Sequence, residues 1–204
     1  TPNAMTIVAA LFGIAGVLIA YRGGYANFLA GAALFWIQNI LDGCDGEIAR
    51  MKYLRSRAGE WLDQIVDDAL NIAFLVAVGL ALARGGQRFA WWLTAIAVVA
   101  QVVHVVGLYA ALLFRAGGRG SVAMLRWWVG DPTENRTLGD LTRRDVLSLA
   151  YLVAALLNVI AIVFVWQTAL TVGSAVVTTL QWAVWGGPGV QTDGGAEPAG
   201  EATA

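Results

Sequence analysis

Seven of the fourteen acidic residues lie between Asp42 and Asp68, namely Asp42, Asp45, Glu47, Glu60, Asp63, Asp67 and Asp68. Asp42 and Asp45 are three residues apart, and Asp63 and Asp67 are four apart. On a helix, either spacing puts the pair on one face. Two such helices joined by a short loop would be antiparallel neighbours, so four carboxylates converge at one end of a bundle. A group of that kind repels itself unless cations neutralise it. An all-oxygen donor set suits magnesium, manganese or calcium, and two ions about 3.5–4 Å apart are the usual clamp for displacement at phosphorus. Arg50, Lys52, Arg55 and Arg57 flank the acids, which makes the region a place for phosphates. The small residues Gly46, Ala49 and Gly59 would let a ligand approach the backbone. Acids at a helix end are most often a solvated rim, so the rest of the pattern has to decide.

The full pattern reads Asp42-x-x-Asp45-Gly46-x-x-Ala49-Arg50, eight residues, then Gly59-x-x-x-Asp63-x-x-x-Asp67. A solvated rim does not call for eight specified residues at fixed offsets. The string resembles the signature of the CDP-alcohol phosphotransferase (CDP-alcohol phosphatidyltransferase) family, with every signature position present. The resemblance extends over residues 1–185 and includes the opening Thr1-Pro2-Asn3. It implies an enzyme that moves a phosphoalcohol from a CDP-alcohol to a hydroxyl acceptor and releases CMP. It also implies that Asp42, Asp45, Asp63 and Asp67 bind two divalent cations, Mg2+ or Mn2+, and that Asp67 is the base. Gly46 and Ala49 would line the cytidine pocket, Arg50 would meet the diphosphate, and the enzyme would be a homodimer. CDP-diacylglycerol is the leading donor, and a polyol phosphate such as inositol phosphate or glycerol phosphate the leading acceptor. Synthesis of a soluble inositol phosphodiester from CDP-inositol is the rival within the family. From another class, a divalent-cation transporter would place its acids near the bilayer midplane between broken helices and would have no use for Gly46, Ala49 and Arg50.

The elements that must carry this site are membrane helices. The chain has 204 residues, 58% hydrophobic and 13% charged, against about 45–50% and about 25% in a soluble domain. That excludes a water-soluble globular domain, a disordered chain and a nucleic-acid-binding module. Cys44, the one cysteine, excludes an intrachain disulfide and a thiolate metal site. At about 20 residues per span, six apolar stretches fit an all-α polytopic domain over residues 1–185. They run from about Met5 to Tyr21, Tyr25 to Ile40, Trp61 to Ala83, Phe89 to Phe114, Val146 to Trp166 and Ala169 to Trp185. The Arg22-Gly23-Gly24 and Arg84-Gly85-Gly86 clusters read as turns, whereas only Gln167 and Thr168 interrupt the fifth and sixth stretches.

Ten of the thirteen basic residues fall in the second and fourth loops, leaving Arg22, Arg84 and Arg88 for the other side. The positive-inside rule puts the ten in the cytoplasm, together with the acids and both termini. Trp91 and Trp92 mark one interface, and Trp127, Trp128, Trp182 and Trp185 the other. Residues 186–204, rich in Gly, Pro, Ala and acids, read as a disordered tail. The chain does not begin with Met, so a fused cytoplasmic domain upstream is conceivable.

Other residues have readings of their own. Arg143 and Arg144, in the Thr142-Arg143-Arg144-Asp145 run that opens the fifth helix, are candidates for an acceptor phosphate. The alternative is that they only set topology. Segment 119–129 mixes Arg with Met, Leu and Trp, and reads as a surface segment or a loop. His104, mid-way along the fourth helix, reads as a packed residue with a partner rather than a functional one. Asp68 and Glu60 read as neighbours of the motif rather than ligands. Gly13, Gly16 and Gly31 read as sites of helix packing.

Overall fold

The computed structural model describes residues 2–51, 57–114, 125–126, 144–187 and 189–190. Among these are six helices: α1 (Pro2–Arg22), α2 (Tyr25–Met51), α3 (Arg57–Arg84), α4 (Phe89–Phe114), α5 (Arg144–Leu156) and α6 (Ile160–Trp185). One two-residue pairing accompanies them, β1 (Leu125–Arg126) antiparallel to β2 (Gly189–Val190). The residues just after α6 are thereby tied to the segment between α4 and α5.

Within the described residues, Asp63–Arg84, Phe89–Phe114 and Ile160–Val184 are long and apolar enough to cross a membrane. Ile7–Arg22 and Asp145–Leu156 are apolar but shorter. The outer surface suits lipid. Along α1, Ile7, Leu11, Ile14 and Leu18 form an exposed stripe, and on α4 Trp92, Val99, Val106 and Phe114 are exposed. Apolar faces of this extent are not left to water.

The glycine clusters do end helices. Gly23, Gly24 and Gly86 all have positive φ, a backbone region that costs glycine nothing. At the α3 terminus Gln87 N–H donates to Leu82 O at 3.1 Å and Gly86 N–H to Ala83 O at 3.2 Å. These two bonds satisfy carbonyls left over at the helix end. Arg84 adds a cation there. Its guanidinium donates to Tyr21 O and to Leu80 O and lies over the Tyr21 ring, 3.9 Å from the centroid. One positive charge thus serves the C-terminal ends of both α1 and α3.

The join between the last two helices is not where the sequence pattern puts it. Helix α5 stops at Leu156 and α6 begins at Ile160, so Gln167 and Thr168 lie inside α6. The stop is Asn158, the one non-glycine residue with positive φ (57°) among the described residues. Val159 N–H bonds to Ala154 O at 2.8 Å and Asn158 N–H to Ala155 O at 3.1 Å, the paired closure of a Schellman turn with asparagine in the glycine position. Gln167 and Thr168 are buried instead. Tyr151 Oη donates to Gln167 Oε1, and Thr168 Oγ1 donates to Phe164 O at 2.9 Å.

Close approach of the helices is bought with small residues. Helix α1 packs on both α2 and α3. A Cβ on Gly16 would sit 2.9 Å from Gly31 O, one on Gly31 2.8 Å from Gly16 O, and one on Gly13 2.8 Å from Leu70 Cδ1. All three glycines therefore serve packing, as read from the sequence. Gly79 on α3 is tighter still: its Cβ would lie 2.0 Å from Thr94 Oγ1 on α4 and 2.9 Å from the Phe164 ring on α6. The core sits around Phe35, Phe74, Val78, Tyr151 and Phe164. Phe74 stacks on Phe35 with centroids 4.2 Å apart and meets Tyr151 edge-on at 5.3 Å.

Helix α6 presents one polar edge inward. Gln167, Thr171, Ser174, Thr178 and Gln181 recur at alternating steps of four and three residues, and all but Ser174 are buried. His104 Nδ1 and Thr178 Oγ1 are 2.7 Å apart, and Trp182 Nε1 donates to Gly107 O at 3.1 Å. The latter bond ties α6 to α4.

Candidate active site

Helices α2 and α3 meet through side chains, and three contacts give their register. Phe35 stacks on Phe74, Gln38 reaches Asp67, and Asp42 lies by Asp63. Numbers rise along α2 as they fall along α3, so the helices run antiparallel, as the short connection requires. The apolar pairs hold the middle of this contact, and the polar pairs come where α2 leaves its apolar run. The sequence change after Ile40 is thus what puts the carboxylates at the end of the bundle.

There, one carboxylate oxygen from each of Asp42, Asp63 and Asp67 lies within 4.8 Å of the others. Asp42 and Asp63 are half-buried and Asp67 is buried. Two unit charges at that separation repel by at least about 3.5 kcal/mol at an effective dielectric of 20, and three carboxylates make three such pairs. Hard oxygen donors, close together and partly withdrawn from water, fit a divalent cation. The spacing expected of Asp63 and Asp67 is realised on one face of α3, with Asp42 facing them from α2.

The other side of α3 is accounted for separately. Asp68, next to Asp67, accepts a hydrogen bond from Tyr109 Oη at 2.5 Å, and Tyr109 packs edge-on against Trp61 with centroids 5.4 Å apart. Asp68 is therefore a partner of α4, in keeping with its reading as a neighbour of the motif. His104 is a packed residue bonded to Thr178, as expected of a lone histidine inside a helix bundle.

The remaining expectations fall largely outside what is described. Asp45, Gly46, Ala49 and Arg50 belong to the last turns of α2, but side-chain placement from residue 44 to the end of that helix lies outside the described residues. Gly59, half-buried, is in the first turn of α3. Arg144 is the first residue of α5; its side chain and the whole of Arg143 lie outside the described residues, as do Trp127, Trp128 and the tail beyond Val190. Two residues at the site were not singled out by sequence, Gln38 and Tyr109. Gln38 had a signal, being an amide in an otherwise apolar run four residues before Asp42 and so on its face. Tyr109 had none, because a tyrosine in an apolar helix is ordinary.

Comparison with known proteins gives a family and a set of partial relatives. A family model for CDP-alcohol phosphatidyltransferase matches residues 1–185. Three curated proteins named "Bifunctional IPC transferase and DIPP synthase" are similar to part of the chain. The one from Aquifex aeolicus is 35% identical over 91 residues, 45% of this chain and 20% of the relative. The one from Archaeoglobus fulgidus is 38% identical over 79 residues, 39% of this chain and 15% of the relative. The one from Thermococcus kodakarensis is 35% identical over 81 residues, 40% and 18%. The matched part is thus a fifth or less of each relative's length.

Proposed function

The chain belongs to the CDP-alcohol phosphatidyltransferase family, and on that premise we propose that it transfers a phosphatidyl group from CDP-diacylglycerol to the hydroxyl of a polyol phosphate, releasing CMP. The observation that carries this reading is the convergence of Asp42, Asp63 and Asp67 where α2 and α3 meet. Asp42, Asp45, Asp63 and Asp67 would hold two divalent cations, Mg2+ or Mn2+. Bound there, the ions supply charge neutralisation for the donor diphosphate and the leaving nucleotide. Asp67 takes the proton of the acceptor hydroxyl as its oxygen bonds to the phosphorus that carries the alcohol. The bond from that phosphorus to the bridging oxygen breaks, and the electron pair leaves with CMP. Gly46, Ala49 and Gly59 let the nucleotide approach the backbone, and Arg50 meets the diphosphate. The protein is an integral membrane homodimer with six spans, and the site and both termini are cytoplasmic. A lipid tail stays in the bilayer while nucleotide and acceptor come from water.

Arg143 and Arg144 take the acceptor phosphate in this reading. The packing of α5 on α2 supports it. Tyr25 Oη donates to Leu156 O at 3.4 Å, so the start of α2 meets the end of α5. At 1.5 Å per residue, the first residue of α5 is then about 18 Å away along the helix, near the level of Gln38 and Asp67 and about one turn short of Asp42. The amides at a helix start also favour an anion.

A second reading is favoured by the names of the similar proteins, namely transfer from CDP-inositol to form a soluble inositol phosphodiester. One experiment separates the two. Purified protein is incubated with CDP-diacylglycerol or CDP-inositol, with inositol phosphate or glycerol phosphate as acceptor, and CMP release is measured with and without EDTA. Release from CDP-diacylglycerol, abolished by EDTA and restored by Mg2+ or Mn2+, is expected. Release from CDP-inositol alone selects the second reading, and full release in EDTA overturns both.

A further inference from the structure

The ligand reading of the aspartates leaves a buried amide beside them unaccounted for. Gln38 lies one turn before Asp42 on α2, is only 3% exposed, and donates from Nε2 to Asp67 Oδ1 at 3.4 Å. Burying an amide among apolar helices costs free energy unless its polar atoms find partners. The fold nonetheless makes room for it: Gly13 of α1 faces it, and a Cβ there would come within 3.2 Å of Gln38 Cγ. A side chain present only to fill this space would be leucine or methionine. The amide instead meets the one aspartate of the cluster that is fully buried.

A carboxylate turns easily about its Cβ–Cγ bond, and a metal ligand has to hold one orientation. Ligating carboxylates are usually fixed by a donor behind them, and loss of that donor weakens metal binding or activity about 10–100-fold. We propose that Gln38 is a positioning residue: its amide fixes the rotation of the Asp67 carboxylate so that Asp67 stays convergent with Asp42 and Asp63. This rests on the metal reading given above. Gly13 is the second member of the device, because its missing side chain lets α1 press on Gln38 and keep the amide turned toward α3.

The test uses Mn2+ alone, titrated into the purified full chain in detergent and followed by the electron paramagnetic resonance of the free ion. Gln38→Met keeps the length of the side chain and removes the donor. Gln38→Asn keeps an amide but withdraws it by one methylene, and decides the matter should Gln38→Met fail to fold. Both variants should bind Mn2+ about tenfold or more weakly, while their thermal unfolding midpoints in EDTA match the wild type. Wild-type Mn2+ affinity in the variants overturns the role of Gln38 and leaves the metal centre standing. A wild-type protein that binds no more Mn2+ than Asp42→Asn overturns the metal centre and Gln38 with it. An affinity loss matched by an equal loss of stability in EDTA makes Gln38 a packing residue only, and overturns positioning.

Discussion

At the scale of single residues, Asp67 carries two duties in the proposed chemistry, ligand and base, whereas Asp42 carries one. The two aspartates should therefore fail differently. Asp67→Asn is expected to lose about 10²–10⁴ in turnover from the missing base while keeping nucleotide affinity better than Asp42→Asn does. Pre-steady-state CMP release and nucleotide binding measured on the same preparations check this. Near-normal turnover of Asp67→Asn with its full metal complement would falsify the base assignment. Arg143 and Arg144 should fail in a third way. Arg143→Ala or Arg144→Ala removes a charge-assisted hydrogen bond worth about 1.5–3 kcal/mol, so the acceptor KM should rise about tenfold to a hundredfold. The CDP-alcohol KM should stay put; normal acceptor kinetics with poor expression would leave these arginines as topology signals. The aspartates were legible in the sequence because their offsets are those of one helix face on each side of a short loop. Gln38 was harder to see. A single amide in an apolar run sets no period, and its meaning comes only from Asp67, 29 residues further on.

At the scale of elements, local chemistry decided what periodicity could not. The run from Val146 to Trp185 contains no charged residue, so its interruption had to be found from residue type. Gln167 and Thr168 resemble a loop because adjacent polar residues usually mark one. Inside a membrane bundle a buried glutamine bonded to Tyr151 is as good a helix residue as any. The real break is Asn158, whose short amide tolerates the left-handed backbone. Asn158→Gly should be neutral or stabilising, and Asn158→Val should cost about 1–2 kcal/mol, read as the shift in thermal unfolding midpoint in detergent. The glycines were legible as packing sites in kind but not in rank. Gly79, the tightest of those described here, looks in sequence like any glycine in an apolar helix. Gly79→Ala drives a methyl into Thr94 and Phe164 and should cost about 1–3 kcal/mol as overpacking. Gly173, with nothing within 4 Å of its Cβ position, is the control and should tolerate alanine.

At the scale of the whole molecule, composition and charge placement carry the reading furthest. The all-helical class and the end of the bundle that bears the carboxylates both follow from where apolar runs stop and charges begin. The sidedness is testable because the chain has one cysteine. In a Cys44→Ser background, a cysteine at Gln87 should react with an impermeant maleimide on intact cells, and one at Gly118 only after permeabilisation. The reverse pattern inverts the topology. The polar edge of α6 also has a bearing on the order of events during synthesis. Gln167, Thr171, Thr178 and Gln181 are sheltered by other helices, and the partners of Gln167 and Thr178, Tyr151 and His104, are made earlier in the chain. A helix with such an edge enters lipid at a disadvantage if it arrives alone. Here it emerges from the ribosome last of the six, when α4 and α5 are already available to receive it. Circularly permuted chains that place α6 first should therefore insert poorly, even though every contact in the finished bundle is unchanged.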